Sequence, residues 1–176
     1  MLFEQKEYTN ASLRILMLAK ERAYHFHSPV IGTEHLLAGI IEMRGTLAYS
    51  YFSSFDIDSK KINEEILKFP NAVITVFDKK NMTLSPKLEK VLKFSKDLTQ
   101  ENDFEKVGTE CLLLALLHEV NSVALAILEN LKIEYDLIFQ QIVNENKLRI
   151  PKLKPKENKA VVPMAQRRKN KKKDKQ

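Results

Sequence analysis

Ile31-Gly32-Thr33-Glu34-His35-Leu36-Leu37-Ala38-Gly39-Ile40-Ile41 stands early in the chain, and Val107-Gly108-Thr109-Glu110-Cys111-Leu112-Leu113-Leu114-Ala115-Leu116-Leu117 stands 76 residues later. Working outward from these two stretches, residues 11–67 lie on residues 87–143 without a gap. Leu16 falls on Leu92, Lys20 on Lys96, Ala48 on Ala124, Ile57 on Ile133, Ile62 on Ile138 and Ile66 on Ile142. An ungapped register of this length marks an internal duplication.

Each half reads as four helices. The first runs from near Asn10 to Phe26, with Ile15, Leu16, Ala19 and Ala23 on one face at helical spacing. Its counterpart opens at Ser85-Pro86, a capping serine before a proline at the first helical position. The second helix is expected to start at Thr33 and Thr109, each as N-cap, and to turn Leu36, Leu37, Ile40 and Ile41 inward. The third opens at Thr46 or Ser122 and carries Tyr51-Phe52 or Ile127-Leu128. The fourth spans about Ser59–Phe69 and Tyr135–Asn146. The expected fold is therefore all-α: two four-helix units, about eight helices, related by a pseudo-twofold. Residues 1–146 form the body (repeats at about 9–69 and 85–146, linker 70–84), and 147–176 form a disordered basic tail. Val73-Ile74-Thr75-Val76-Phe77 in the linker is β-prone, either packed on the body or a short extended segment.

The net charge of +6 is unevenly divided. Residues 147–176 carry 13 Lys+Arg against Glu157 and Asp174, leaving 16 basic and 21 acidic residues in the body. Such a tail has little to bury and repels itself. The lone Cys111 excludes an internal disulfide. No run approaches the roughly 20 apolar residues of a membrane span, and the N-terminus has no signal-peptide core, so a soluble cytoplasmic protein without membrane contact is expected.

The four glycines, at 32, 39, 45 and 108, assemble no phosphate-cradling loop, so neither nucleotide cofactor nor catalysis is expected. His25-x-His27 lacks further ligands for a metal, and His118-Glu119 lacks the second histidine of a helical zinc site. Cys111 reads as a small half-buried thiol.

What remains is the doubled Gly-Thr-Glu. Its structural reading is a glycine entry, a threonine cap and a first-turn glutamate that complements the macrodipole. Its functional reading is a binding site. Helix-start amides suit a phosphate, and a carboxylate beside them suits a guanidinium. A ligand with both groups on adjacent atoms would engage both features.

These residues resemble the N-terminal (Clp R) domain of Clp-type AAA+ unfoldases, most like the ClpC branch, over roughly residues 3–146. The resemblance implies an eight-helix pseudo-twofold module that recruits client proteins and adaptors to the unfoldase. In the ClpC branch it also implies a receptor for arginine-phosphorylated clients. Carried over by motif, Glu34 and Glu110 would hold the guanidinium, while Gly32, Thr33, Gly108 and Thr109 would lie at the phosphate. Two departures stand out. The second motif has Cys111 where the family has His, and the family's Gly-His pair ahead of the motif is replaced by His27-Ser28 and Asp103-Phe104. Asp103 and Glu105 add negative charge beside the second motif, which makes the first the expected better site. The ATPase modules have no counterpart in these residues. Three functions therefore compete: a recruitment module or regulator of a Clp protease, a nucleic-acid-associated protein acting through its tail, and an enzyme with an unrecognised site. The tail carries no aromatic residue to stack on bases.

Overall fold

The computed structural model describes residues 2–70 and 77–152. Eight helices carry the described residues: α1 (Asn10–His25), α2 (Thr33–Glu42), α3 (Leu47–Ser50), α4 (Ser59–Ile66), α5 (Pro86–Glu101), α6 (Thr109–His118), α7 (Val123–Asn130) and α8 (Tyr135–Glu145). Two short strands, β1 (Val30–Ile31) and β2 (Thr83–Leu84), complete it. The tail from Leu153, and Val73–Val76 of the linker, lie outside the described residues.

The long helices begin where their polar residues direct. The Thr9 hydroxyl accepts from Ser12 N–H at 3.2 Å, and the Ser85 hydroxyl accepts from Leu88 N–H at 3.1 Å with Pro86 behind it. Both long helices then end on a left-handed residue, His27 at φ 54° and Asp103 at φ 58°, 76 positions apart. After this turn Ser28 N–H reaches Ala23 O, and Phe104 N–H reaches Thr99 O, each at 2.9 Å. The departure from the family's glycine at residue 27 thus falls on a residue that needs positive φ, a conformation costing an L-residue about 1–2 kcal/mol. Gly45 and Asn121, again 76 apart, share the left-handed region.

The second helix of each half goes further than its four inward apolar residues suggest. Every residue from Thr33 to Ile41 is buried, as is every one from Cys111 to Leu117. Between Glu34 and Glu42 in α2, and from Cys111 to Leu117 in α6, no Asp, Glu, Lys or Arg occurs, so both helices are apolar all round over that run and sit in the centre. Gly39 lets α1 close on α2: a Cβ there would stand 2.6 Å from the Ile15 carbonyl oxygen. The equivalent residue in the second half is Ala115, so α5 and α6 leave room for a methyl.

The halves are not side by side but interlocked. β1 of the first half pairs in parallel with β2, which leads into the second half, in the register Val30–Thr83 and Ile31–Leu84. The equivalent segments, Tyr8 and Val107, form a parallel bridge. There Thr9 N–H donates to Val107 O (3.1 Å) and Val107 N–H donates to Glu7 O (2.8 Å). Each long helix is thus preceded by a segment that pairs with the other half. The buried apolar residues accordingly form one core, from Phe3 to Leu148.

Beyond α8 the chain stays on the body, with Leu148 buried and Arg149 ion-paired to Asp103 at 2.7 Å. Among the described residues no single helix is long and apolar enough to cross a membrane. The apolar pair α6 and α7 is bent by 86° between its members.

Candidate functional site

The two Gly-Thr-Glu motifs open α2 and α6, and the structure gives the three residue types different work from the one the sequence suggests. Gly32 and Gly108, not the threonines, are the N-caps, so Thr33 and Thr109 are the first helical residues. This corrects their expected capping of their own helices. Their hydroxyls face the opposite half. Thr33 Oγ1 accepts from Ala124 N–H (3.2 Å) at the start of α7, and Thr109 Oγ1 accepts from Ala48 N–H (3.3 Å) at the start of α3. Each threonine therefore caps the third helix of the other repeat. Ser122 and Thr46 supply the conventional caps there, accepting from Leu125 and Tyr49 N–H.

The reason lies in the order of the motif. Glycine in extended backbone supplies no side chain at the cap, which lets the following glutamate fold back over it. A methyl on Gly32 would collide with the Glu34 carboxylate, and one on Gly108 with that of Glu110. The carboxylates thus lie across the start of their own helices, as the macrodipole favours.

The two sites differ in the next residue. In the first, His35 is wholly buried and its Nδ1 accepts from Gly32 N–H at 2.9 Å. Burial drives its pKa down to about 4, so it is neutral and its 3.5 Å approach to Glu34 is no ion pair. His35 Nε2 is buried without a hydrogen-bond partner among the described residues. In the second, Cys111 takes this place. Burial, and then the Glu110 charge, push its thiol up to about 11. A thiol so far from ionisation is not a nucleophile.

Exposure separates the glutamates. Glu34 is only 9% exposed, and burial raises its pKa against the pull of its own backbone N–H and the Thr33 hydroxyl. Glu110 is half-buried. Beside it, the Tyr51 hydroxyl accepts from Asn146 Nδ2 at 2.8 Å. Burial raises the pKa of Tyr51, and the carboxylates of Glu145 and Glu110 add to the rise. The charge expected to spoil the second site is partly answered, since Asp103 is held by Arg149. The more open carboxylate is therefore in the motif the sequence ranks second.

The structure brings Gly32, Thr33 and Glu34 together at one site and Gly108, Thr109 and Glu110 at another. Each lies where two helix N-termini from different halves converge. The α3 and α7 amides and Tyr51 are the parts that sequence reasoning does not place there. The signal was present in the register of Thr46 on Ser122. Among the described residues no group of three His, Cys, Asp or Glu is arranged to hold a metal.

Comparison with known proteins identifies the family and the fold. The sequence matches the Clp repeat (R) N-terminal domain over residues 7–131. The chain belongs to that family. ATP-dependent Clp protease ATP-binding subunit ClpC of Staphylococcus epidermidis is 32% identical over 137 residues, 77% of this chain and 16% of that protein. The chain spans about a sixth of the length of the curated relatives it matches. The N-terminal domain of the chaperone ClpD from Arabidopsis thaliana has the same fold, with a TM-score of 0.67 at 16% identity, covering 80% of this chain and 97% of that one. A ClpV N-domain in complex with a VipB peptide matches with a TM-score of 0.54 at 16% identity, covering 77% of this chain and 88% of that one. This Clp N-domain thus resembles the substrate- and adaptor-binding N-domains of Clp ATPases.

Proposed function

We propose that this Clp N-domain is a non-catalytic recognition module of the cytoplasmic Clp unfoldase-protease system, and that its two Gly-Thr-Glu motifs receive client segments bearing phosphoarginine. The observation that carries this reading is the pair of motif carboxylates, each folded across a glycine at a point where two helix N-termini converge. A guanidinium would draw the carboxylate off the helix start into a charge-assisted pair. The adjoining phosphate would take the vacated amides. One ligand satisfies both halves of the exchange, whereas a bare phosphate would meet the carboxylate's repulsion. The family relationship supports recruitment by this domain, and the VipB peptide on the ClpV N-domain shows that a relative of this fold takes a peptide.

Titration with free phosphoarginine tests the reading. Saturable binding is expected, and Glu110→Gln and Glu34→Gln should each weaken it at their own motif. The expected loss is about 1.5–3 kcal/mol, the worth of a charged hydrogen bond, or roughly ten- to a hundredfold. An absence of saturable binding by the unmutated chain would leave the motifs as helix starts only.

A further inference from the structure

The duplication places most surface positions in the fold twice, and on one surface the two copies disagree. A groove of about 450 Å³ opens beside the outer face of α7, lined by Phe69, Val120, Val123, Ala126 and Tyr135, with Glu129 at one end. At the same places the other half carries Glu145 for Phe69, Arg44 for Val120, Ser50 for Ala126 and Ser59 for Tyr135. Helices and turns are built alike on both sides, so the fold itself does not ask for apolar side chains here. Val120 is 65% exposed, and Phe69, Val123, Ala126 and Tyr135 are only half-buried. A contiguous apolar patch left facing water marks a contact surface. This one is held ready. Lys87 Nζ donates to Val120 O at 2.6 Å and pairs with Glu119 at 2.7 Å, which fixes the turn between α6 and α7. The Tyr135 hydroxyl donates to Glu129 Oε1 at 3.0 Å, which steadies the ring against α7.

The charge at the Tyr135 end has one sign. From Asn121 to Gln140 the chain carries Glu129, Glu134 and Asp136 against Lys132 alone. All three carboxylates are exposed, and none is ion-paired among the described residues. We infer that this groove is a second recognition surface, apart from the Gly-Thr-Glu motifs, and that its occupant is a segment of another polypeptide in which bulky apolar residues precede basic ones. The aliphatic or aromatic side chains enter the groove and gain by leaving water. The lysine or arginine that follows lies on the carboxylates around Tyr135, which fix the direction of the segment and speed its arrival more than they tighten it. A second copy of the same surface fits worse, because it would set carboxylates against carboxylates.

Titration of the full chain with a short peptide, Leu-Phe-Lys-Lys in a Gly/Ser background, provides the test, since such a probe holds neither arginine nor phosphate. Amide shifts are expected at Val120, Val123, Ala126 and Tyr135, and not at Arg44, Leu47, Ser50 and Ser59. Val120→Arg/Ala126→Ser gives the groove the residues that the other half already carries. It should leave the melting temperature nearly unchanged and weaken peptide binding roughly tenfold. Glutamates in place of the peptide's lysines should weaken binding severalfold, a difference that shrinks as salt rises from about 50 to 300 mM. Shifts spread over both halves, equal binding by the double variant, or equal binding of the lysine and glutamate peptides overturns the inference. So does a dimer in equilibrium sedimentation that the double variant abolishes, for then the groove serves a second copy. Free phosphoarginine should bind the double variant and the unmutated chain alike. If it binds neither while the peptide shifts persist, the phosphoarginine reading falls and the groove stands.

Discussion

Thr33 shows how one hydroxyl can serve two helices. By sequence it is a cap, and by structure it caps the wrong helix, the α7 of the other repeat. Thr33→Val keeps the shape and removes the acceptor, leaving a buried N–H unpaired, so a loss of about 1–3 kcal/mol is expected in chemical denaturation, with Thr33→Ser recovering most of it. At the same scale His35 makes the first motif acid-sensitive. Its ordinary value is 6.5 and its folded value about 4, so the unfolded chain binds the proton first. Its contribution is intact above pH 6.5 and lost as pH falls toward 4, at up to about 1.4 kcal/mol per pH unit. Glu34, whose raised pKa penalises its ionised form, is relieved by acid and opposes this loss over the lower part of the range. Urea midpoints at pH 7.5, 6 and 5 in the unmutated chain and His35→Gln should therefore diverge. Glutamine can still accept from Gly32 N–H but does not titrate. Parallel curves would show that His35 does not carry the effect. The motif residues were legible in the sequence because they recur in register. Their hydrogen-bond partners were not, since Ala124 lies 91 residues from Thr33 and contributes only a backbone N–H, which leaves no mark on side-chain pattern.

The helices repeat the lesson in a different form. Their starts were legible at Ser85-Pro86 and Thr46, whereas at Thr33 and Thr109 the cap is the preceding glycine. The central placement of α2 and α6 was half legible, because a charge-free run says buried but not on how many sides. The tight crossing of α1 on α2 depends on Gly39, whose role appears only once Ile15 is seen against it. Gly39→Ala should lower stability by about 1–3 kcal/mol, overpacking outweighing the roughly 1 kcal/mol that alanine gains in a helix. The reverse exchange, Ala115→Gly, meets no such crossing, and its melting temperature should fall by the helix-propensity cost together with the lost burial of one methyl. At the end of α1 the positive φ of His27 argues for the opposite sign. His27→Gly should raise stability by about 1 kcal/mol, read as a higher melting temperature. A lower one would mean that the exposed imidazole makes an interaction worth more than the backbone relief.

For the whole molecule, a tandem sequence reads as two units, yet the exchanged pairings Val30–Thr83 and Tyr8–Val107 give each unit an edge that only the other completes. One calorimetric transition is expected rather than two. Fragments 1–76 and 77–176 should each lack a cooperative transition alone and regain one when mixed. That interlocking also says something about ancestry. A single repeat, before its gene was copied onto itself, had every element needed to complete an identical neighbour, and two such chains would clasp each other about a true dyad. In that state the two binding corners are copies, and any change in one is a change in both. Fusion into one polypeptide releases them from that identity, so His35 can stand behind one glutamate while Cys111 stands behind the other.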